Sequence, residues 1–259
     1  MKRLCSFLLC ILLLAACGHP EPSVTGSELA AELSTVYGIE ILTGRNATDF
    51  HPWDYVLLPE TDEQEILNAL EALEQQLQNY PKGMLEVLSR DCGGLHICIV
   101  KEIQAKEGSG GIENAKGLQF HIPEGSFIAL SQDREYTLYH ELCHVIEDYA
   151  LTRTDAWDRW EDLNPLSFDY DLDFEANQKR DGSLYLQEEN RSFIDTYSMS
   201  FPREDRARIM EYAMTEGNGH YFASPIMQAK LSLLSMGIRQ AFGLEKSEQN
   251  FLWEQYLKQ

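Results

Sequence analysis

Residues 139–149 read YHELCHVIEDY, and the rest of the chain is interpreted outward from them. His140 and His144 are four residues apart. On a helix they project from one face, one turn apart, where two imidazole nitrogens can grip a single ion. Glu141 lies beside them, about 100° round the helix from His140. Leu138, Leu142, Val145, Ile146 and Tyr149 surround that polar face with apolar positions, which favours a helix packed into a core. The competing explanation is an ordinary buried helix whose histidines are satisfied by their neighbours.

Where a helix of the pattern HExxH binds zinc, the metal acidifies a water molecule, and the glutamate takes its proton without being a ligand. A catalytic zinc ion needs a third protein ligand and keeps its fourth position for water. Glu147 and Asp148 lie a turn further along the same helix, beyond where the ion should sit, and suit a supporting or solvent-facing place. The next histidine is His220, so a third histidine at short spacing is excluded and a later acid is the better candidate. In residues 197–210, YSMSFPREDRARIM, Ser200 can cap a helix and Pro202 suits its first turn. Glu204 then falls on a helix with Ala207, Ile209, Tyr212 and Ala213 as packing positions. Glu204 and Asp205 also fit a plain acidic helix start that complements the dipole.

Ahead of this region, residues 27–37 predict a helix capped by Ser27, and residues 62–79 predict another with Ile66, Leu70, Leu73 and Leu77 at helical spacing. Residues 97–103, 118–122 and 127–130 are short apolar runs between Gly-rich or Pro-containing turns, as expected for a small sheet. The helical period returns from 134 to 151, near 202–214, and over 225–242, where Gly243 ends it. Helices, a sheet and helices again make the fold class α+β, with one folded unit over residues 27–259.

The first sixteen residues, MKRLCSFLLCILLLAA, have the layout of a cleaved export signal: Lys2 and Arg3, an apolar run, then small residues. Leu14-Ala15-Ala16-Cys17 resembles a bacterial lipobox, in which the chain is cut before the cysteine and that cysteine is lipidated. The resemblance implies a protein anchored by lipid alone to the outer face of a bacterial membrane. Residues 17–26 are then the lipidated Cys17 and a flexible tether. The chain holds 21 basic and 42 acidic residues; loss of Lys2 and Arg3 with the signal takes its net charge from −21 to −23. Such a charge disfavours nucleic acid and direct docking on anionic lipid, favours neutral or basic partners, and keeps a surface protein soluble. Cys5 and Cys10 leave with the signal, so Cys92, Cys98 and Cys143 remain as thiols. Cys92 and Cys98 flank Gly93-Gly94, where a turn can bring them into bridging range in an exported compartment.

HELCH followed by Tyr197, six residues, then Glu204-Asp205-Arg206-Ala207 resembles the catalytic domain of anthrax lethal factor and its relatives, gluzincin-type zinc metallopeptidases. The likeness covers roughly residues 118–215, and the part before it is similar to the helical front of small bacterial lipoprotein metallopeptidases. It implies a zincin-like fold in which a small sheet precedes the HExxH helix and a helical part follows. It also implies one zinc ion held by His140, His144 and Glu204, with Glu141 as base and Tyr197 as hydrogen-bond donor to the developing oxyanion. The substrate implied is a peptide or protein. Two positions depart from the family pattern: Cys143 stands where glycine is frequent, and Arg206 where an aromatic is common.

Peptidases of this kind often add an extended substrate to an edge strand just before the active helix. Residues 127–130 are in that place, as an edge strand or an internal one. The loop 157–173, with two tryptophans and many acids, either shapes a pocket for basic or apolar side chains or covers the core. His51, His96, His121 and His220 are isolated in sequence and fit structural or surface places. The alternatives to a peptidase are an inactive surface lipoprotein that uses the fold for binding, and a zinc amidohydrolase acting on a cell-wall amide.

Overall fold

The computed structural model describes residues 24–113, 115–131, 137–171 and 183–258. The export signal, Cys17, most of the tether, residues 134–136 and the end of the 157–173 loop lie outside the described residues. Among the described residues no helix is long and apolar enough to cross a membrane.

The first helix, α1 (Gly26–Tyr37), is capped by Thr25 rather than Ser27. The Thr25 hydroxyl accepts from the Glu28 backbone N–H while the Glu28 carboxylate accepts from that of Thr25, a reciprocal pair that Ser27, two residues later and already inside the helix, is placed too late to make. Two short strands follow, β1 (Glu40–Leu42) and β2 (Tyr55–Pro59). Asp62 then opens α2 (Glu63–Leu77) by accepting from the N–H groups of Gln64 and Glu65, and a shorter helix, α3 (Met84–Asp91), follows.

The sheet is built on β3 (Leu95–Ala105), β4 (Gly117–Ile122) and β5 (Gly125–Leu130). Its order is β1-β3-β5-β4, with β3 parallel to β1 and β5, and β4 antiparallel to β5; β2 pairs antiparallel with the second half of β3. Strand alternation divides the core in two. Leu95, Ile97, Ile99, Ile128 and Leu130 face the helices, whereas Cys98, Val100, Phe127 and Ala129 face a smaller cluster with Ala47 and Leu57.

Two open alternatives are decided here. Residues 127–130 belong to β5, which is interior and buried at every position, so the edge strand is β4. The physical reason is visible in the residues: GSFIAL is small or apolar throughout because both faces are covered, while GLQFHI alternates as a half-solvated edge does. Nor are Cys92 and Cys98 bridged. Both are free thiols, because β3 begins at Leu95 and its alternation sends Cys98 to the smaller cluster, whereas Cys92 packs on the helical side.

Three further helices, α4 (Thr137–Ala150), α5 (Pro202–Ala213) and α6 (Pro225–Ala241), complete the helical layer. The α4 helix lies against β4 and β5 and packs chiefly on α5. The described part of the 157–173 loop covers the core: Trp157 and Trp160 are buried, and the Trp157 indole donates to the Leu233 carbonyl. Asp205, next to Glu204, is fully buried and accepts from Lys230 Nζ at 2.7 Å, the Trp160 indole at 2.9 Å and the Tyr170 hydroxyl at 2.7 Å. It is a core anchor, not only a helix-start acid.

Candidate metal centre

Packing α4 against α5 sets the face that carries His140 and His144 opposite Glu204. His140 Nε2 and His144 Nε2 are 3.2 Å apart, His140 Nε2 is 3.1 Å from Glu204 Oε2, and His144 Nε2 is 3.6 Å from Glu204 Oε1. Tetrahedral zinc with bonds of about 2.0–2.1 Å holds its donors roughly 3.3 Å apart. The triangle therefore matches in donor type and in size, and the residues present fit zinc. Among the described residues this is the cluster able to hold a metal ion.

Electrostatics point the same way. Burial opposes a charge on His140, yet Glu204 and Glu211 outweigh it and raise the imidazole's pKa. Burial likewise opposes a charged Glu204, and the two imidazoles outweigh it, holding its carboxyl well below the usual carboxylate range. Both shifts describe one contact, a carboxylate facing two imidazoles.

Glu141, on the next position of α4, is buried beside the triangle, and burial pushes its carboxyl above the ordinary range despite both imidazoles. A stronger base results. The slot it occupies exists because β4 begins with glycine: a Cβ on Gly117 would stand 2.9 Å from both Cγ and Oε1 of Glu141. Tyr197 sits in a short 3-10 turn, residues 197–199, with its ring centroid 6.1 Å from that of His140. Burial, then the charges of Glu204 and Glu141, raise its phenol well above its ordinary value, so it keeps the proton it would donate. All five residues singled out as ligands, base and donor are thus together.

Cys143 faces away. It is fully buried in the main core, and burial pushes its thiol far up, which removes it as a thiolate competitor. Of the isolated histidines, His96 stacks on Phe127, and His121, an exposed residue of the edge strand, joins Asp148 and Ser126.

Behind the ligands, Glu147 and Asp148 take the supporting place expected as one of two alternatives, whereas their partners Arg206 and Arg203, and Glu211, were not anticipated. Glu147 is buried and takes a two-point contact from Arg206, at 2.7 and 3.0 Å, which ties α4 to α5 directly below the triangle. The Arg206 guanidinium also lies over Trp157 and Trp160, so the departure from an aromatic is filled by a cation packed on aromatics. Asp148 pairs with Arg203, which also donates to the side chain of Gln119 on the edge strand. Glu211 Oε2 stands 3.3 Å from His140 Nδ1. The signal available in sequence was alternation of arginines and acids along α5 opposite Glu147-Asp148.

Breaking the Arg206–Glu147 pair should be costly because one buried charge would lose its partner. Arg206→Met is expected to lower stability by about 3–5 kcal/mol, and adding Glu147→Leu to recover most of the loss. Urea denaturation of the two variants reads this; a single variant as stable as the parent would show that the pair contributes nothing.

No family model matches the chain, and no curated protein matches it. Among solved structures, the chain is similar to one from Bacteroides caccae described as a "putative zinc-binding metallo-peptidase". The TM-score is 0.56 and the identity 15%, over 90% of this chain and 89% of that one. A likeness at that identity speaks to fold, and the fold class is α+β and zincin-like.

Proposed function

We propose that this chain is a zinc-dependent peptidase of gluzincin type, with a site like that of the lethal factor catalytic domain, exported and lipid-anchored through Cys17 at the outer face of a bacterial membrane. One observation carries the enzymatic part: the His140–His144–Glu204 triangle has zinc dimensions and stands between a buried carboxylate, Glu141, and a protonated phenol, Tyr197. A pure binding module would gain little from a proton-accepting group placed there.

Zinc, when bound, acidifies the attacking water and polarises the scissile carbonyl. His140, His144 and Glu204 hold it. Glu141 accepts the water's proton and delivers it to the leaving amine. Tyr197 donates a hydrogen bond to the carbonyl oxygen as negative charge develops on it. The substrate adds to β4 as an extended strand, because that edge lies beside α4 and, among the described residues, pairs only with β5. The strongly acidic charge, −21 for the full sequence, favours neutral or basic peptides and disfavours nucleic acid.

The test is zinc content together with cleavage of a peptide library, before and after chelation. One zinc per chain and chelator-sensitive cleavage would support the reading; a folded, zinc-loaded protein that cleaves no peptide would favour the inactive binding module or action on a cell-wall amide. Tyr197→Phe should keep zinc and fold yet lower turnover by about 10²–10³-fold, the usual cost of an oxyanion donor. Unchanged rates would remove the tyrosine from the reaction.

A further inference from the structure

A histidine that holds a metal through Nε2 carries its remaining proton on Nδ1, and a buried N–H needs an acceptor that fixes the ring. His140 Nδ1 is buried and makes no hydrogen bond of good geometry to the groups around it. The carboxylate of Glu211 stands 3.3 Å away, on the side of the ring opposite the triangle. Glu211 lies seven residues after Glu204, two turns along the same face of α5, so one helix supplies both the ligand opposite Nε2 and the carboxylate opposite Nδ1.

Glu211 is itself held. Arg208, between the two glutamates on that face, contacts Glu211 through Nη1 and Asp195 through Nε and Nη2. Its guanidinium also lies over the Tyr212 ring, 4.9 Å from the centroid. Asp195 belongs to the turn that carries Tyr197: its carboxylate accepts from the Ser198 backbone N–H at 3.0 Å, and its own N–H donates to the Ser198 hydroxyl at 3.2 Å. A continuous chain of charge-assisted contacts therefore runs from the tyrosine turn to the far side of His140.

We propose that Glu211 is a positioning residue that fixes the tautomer and ring orientation of His140, and that Arg208 and Asp195 hold it in place while tying it to the Tyr197 turn. The inference rests on the zinc-binding reading of the triangle and assigns Glu211 no contact with metal or substrate. An Asp195–Arg208–Glu211 unit built only to join α5 to a loop would have no reason to end against the ring of a ligand.

The experiment measures zinc affinity by competition with a chromogenic chelator, and the absorption spectrum of the cobalt-substituted protein, for the parent, Glu211→Gln and Arg208→Gln. Thermal unfolding of each metal-free protein accompanies them, and Glu216→Gln, an exposed acid just past the same helix, is the control. Expected are zinc binding weakened by about 10–100-fold in Glu211→Gln and by a smaller factor in Arg208→Gln. The cobalt spectrum should shift in both variants with no change in the control; metal-free unfolding should stay like that of the parent in Glu211→Gln, and fall in Arg208→Gln, which leaves Asp195 and Glu211 without their cation. Parent-like affinity in Glu211→Gln would overturn the proposal, and so would weaker binding with an unchanged cobalt spectrum, since the ligand geometry would then not depend on Glu211. If Glu211→Gln fails to fold, Arg208→Gln decides by the same two readings. A parent that binds no zinc would overturn the metal site itself, which is a different result from a parent that binds zinc beside an indifferent variant.

Discussion

Glu141→Gln is expected to keep one zinc per chain and to lower peptide hydrolysis by about 10²–10⁴-fold, the range that a positioned general base supplies. The substitution is nearly isosteric, so the side chain should still fill the slot left by Gly117. What disappears is proton affinity. In the parent, burial raises the Glu141 carboxyl above its ordinary range, which matches its basicity more closely to neutral pH; an amide has no such capacity. The three donor atoms of the triangle belong to other residues, so metal content should not move. Rates on a single cleaved peptide, measured beside zinc analysis, check both halves. Activity within tenfold of the parent would mean that another group takes the proton, and loss of zinc would place Glu141 among the ligands.

The centre of this site was legible because its geometry follows from one regular element. His140, Glu141 and His144 need only the helical period to be placed, and Leu138, Leu142, Val145 and Ile146, all fully buried, mark the face that fixes it. Glu204 was one candidate acid on the next helix, and its place as ligand and the part of Tyr197 came from the family resemblance; the structure sets both beside His140. Features that depend on how elements pair were not legible to the same degree. Which strand is the edge turns on the order β3-β5-β4, which a linear reading cannot see, although the polar alternation of β4 against the unbroken apolar β5 carried the information. The Cys92–Cys98 bridge failed for a related reason: proximity across a Gly-Gly turn says nothing about which face of β3 the second cysteine takes. The short β1 and β2 strands escaped notice because three residues, or five ending in proline, give too little period to detect. Glu211 escaped because its partner is the back of a histidine ring, a contact that exists only once α4 and α5 are packed.

That packing makes Glu204→Ala the sharpest test of the site. If Glu204 were only an acid at the start of α5, alanine would cost about 0.3–1 kcal/mol of dipole stabilisation and leave zinc in place. If it is the third ligand, the same change leaves His140 Nε2 and His144 Nε2, 3.2 Å apart, as a two-point site. Zinc affinity should then fall by more than the roughly 10–100-fold that losing a carboxylate behind a ligand costs. Glu211 cannot take over. It faces Nδ1 of His140, on the side of the ring away from the triangle, and Arg208 holds it there. Glu147 cannot either, because both its oxygens are engaged by Arg206. Zinc analysis after dialysis against a weak chelator, with circular dichroism to confirm the fold, separates the cases. A folded Glu204→Ala protein with parent-level zinc would move the third ligand elsewhere and, with it, the argument that the two helices were brought together to bind a metal.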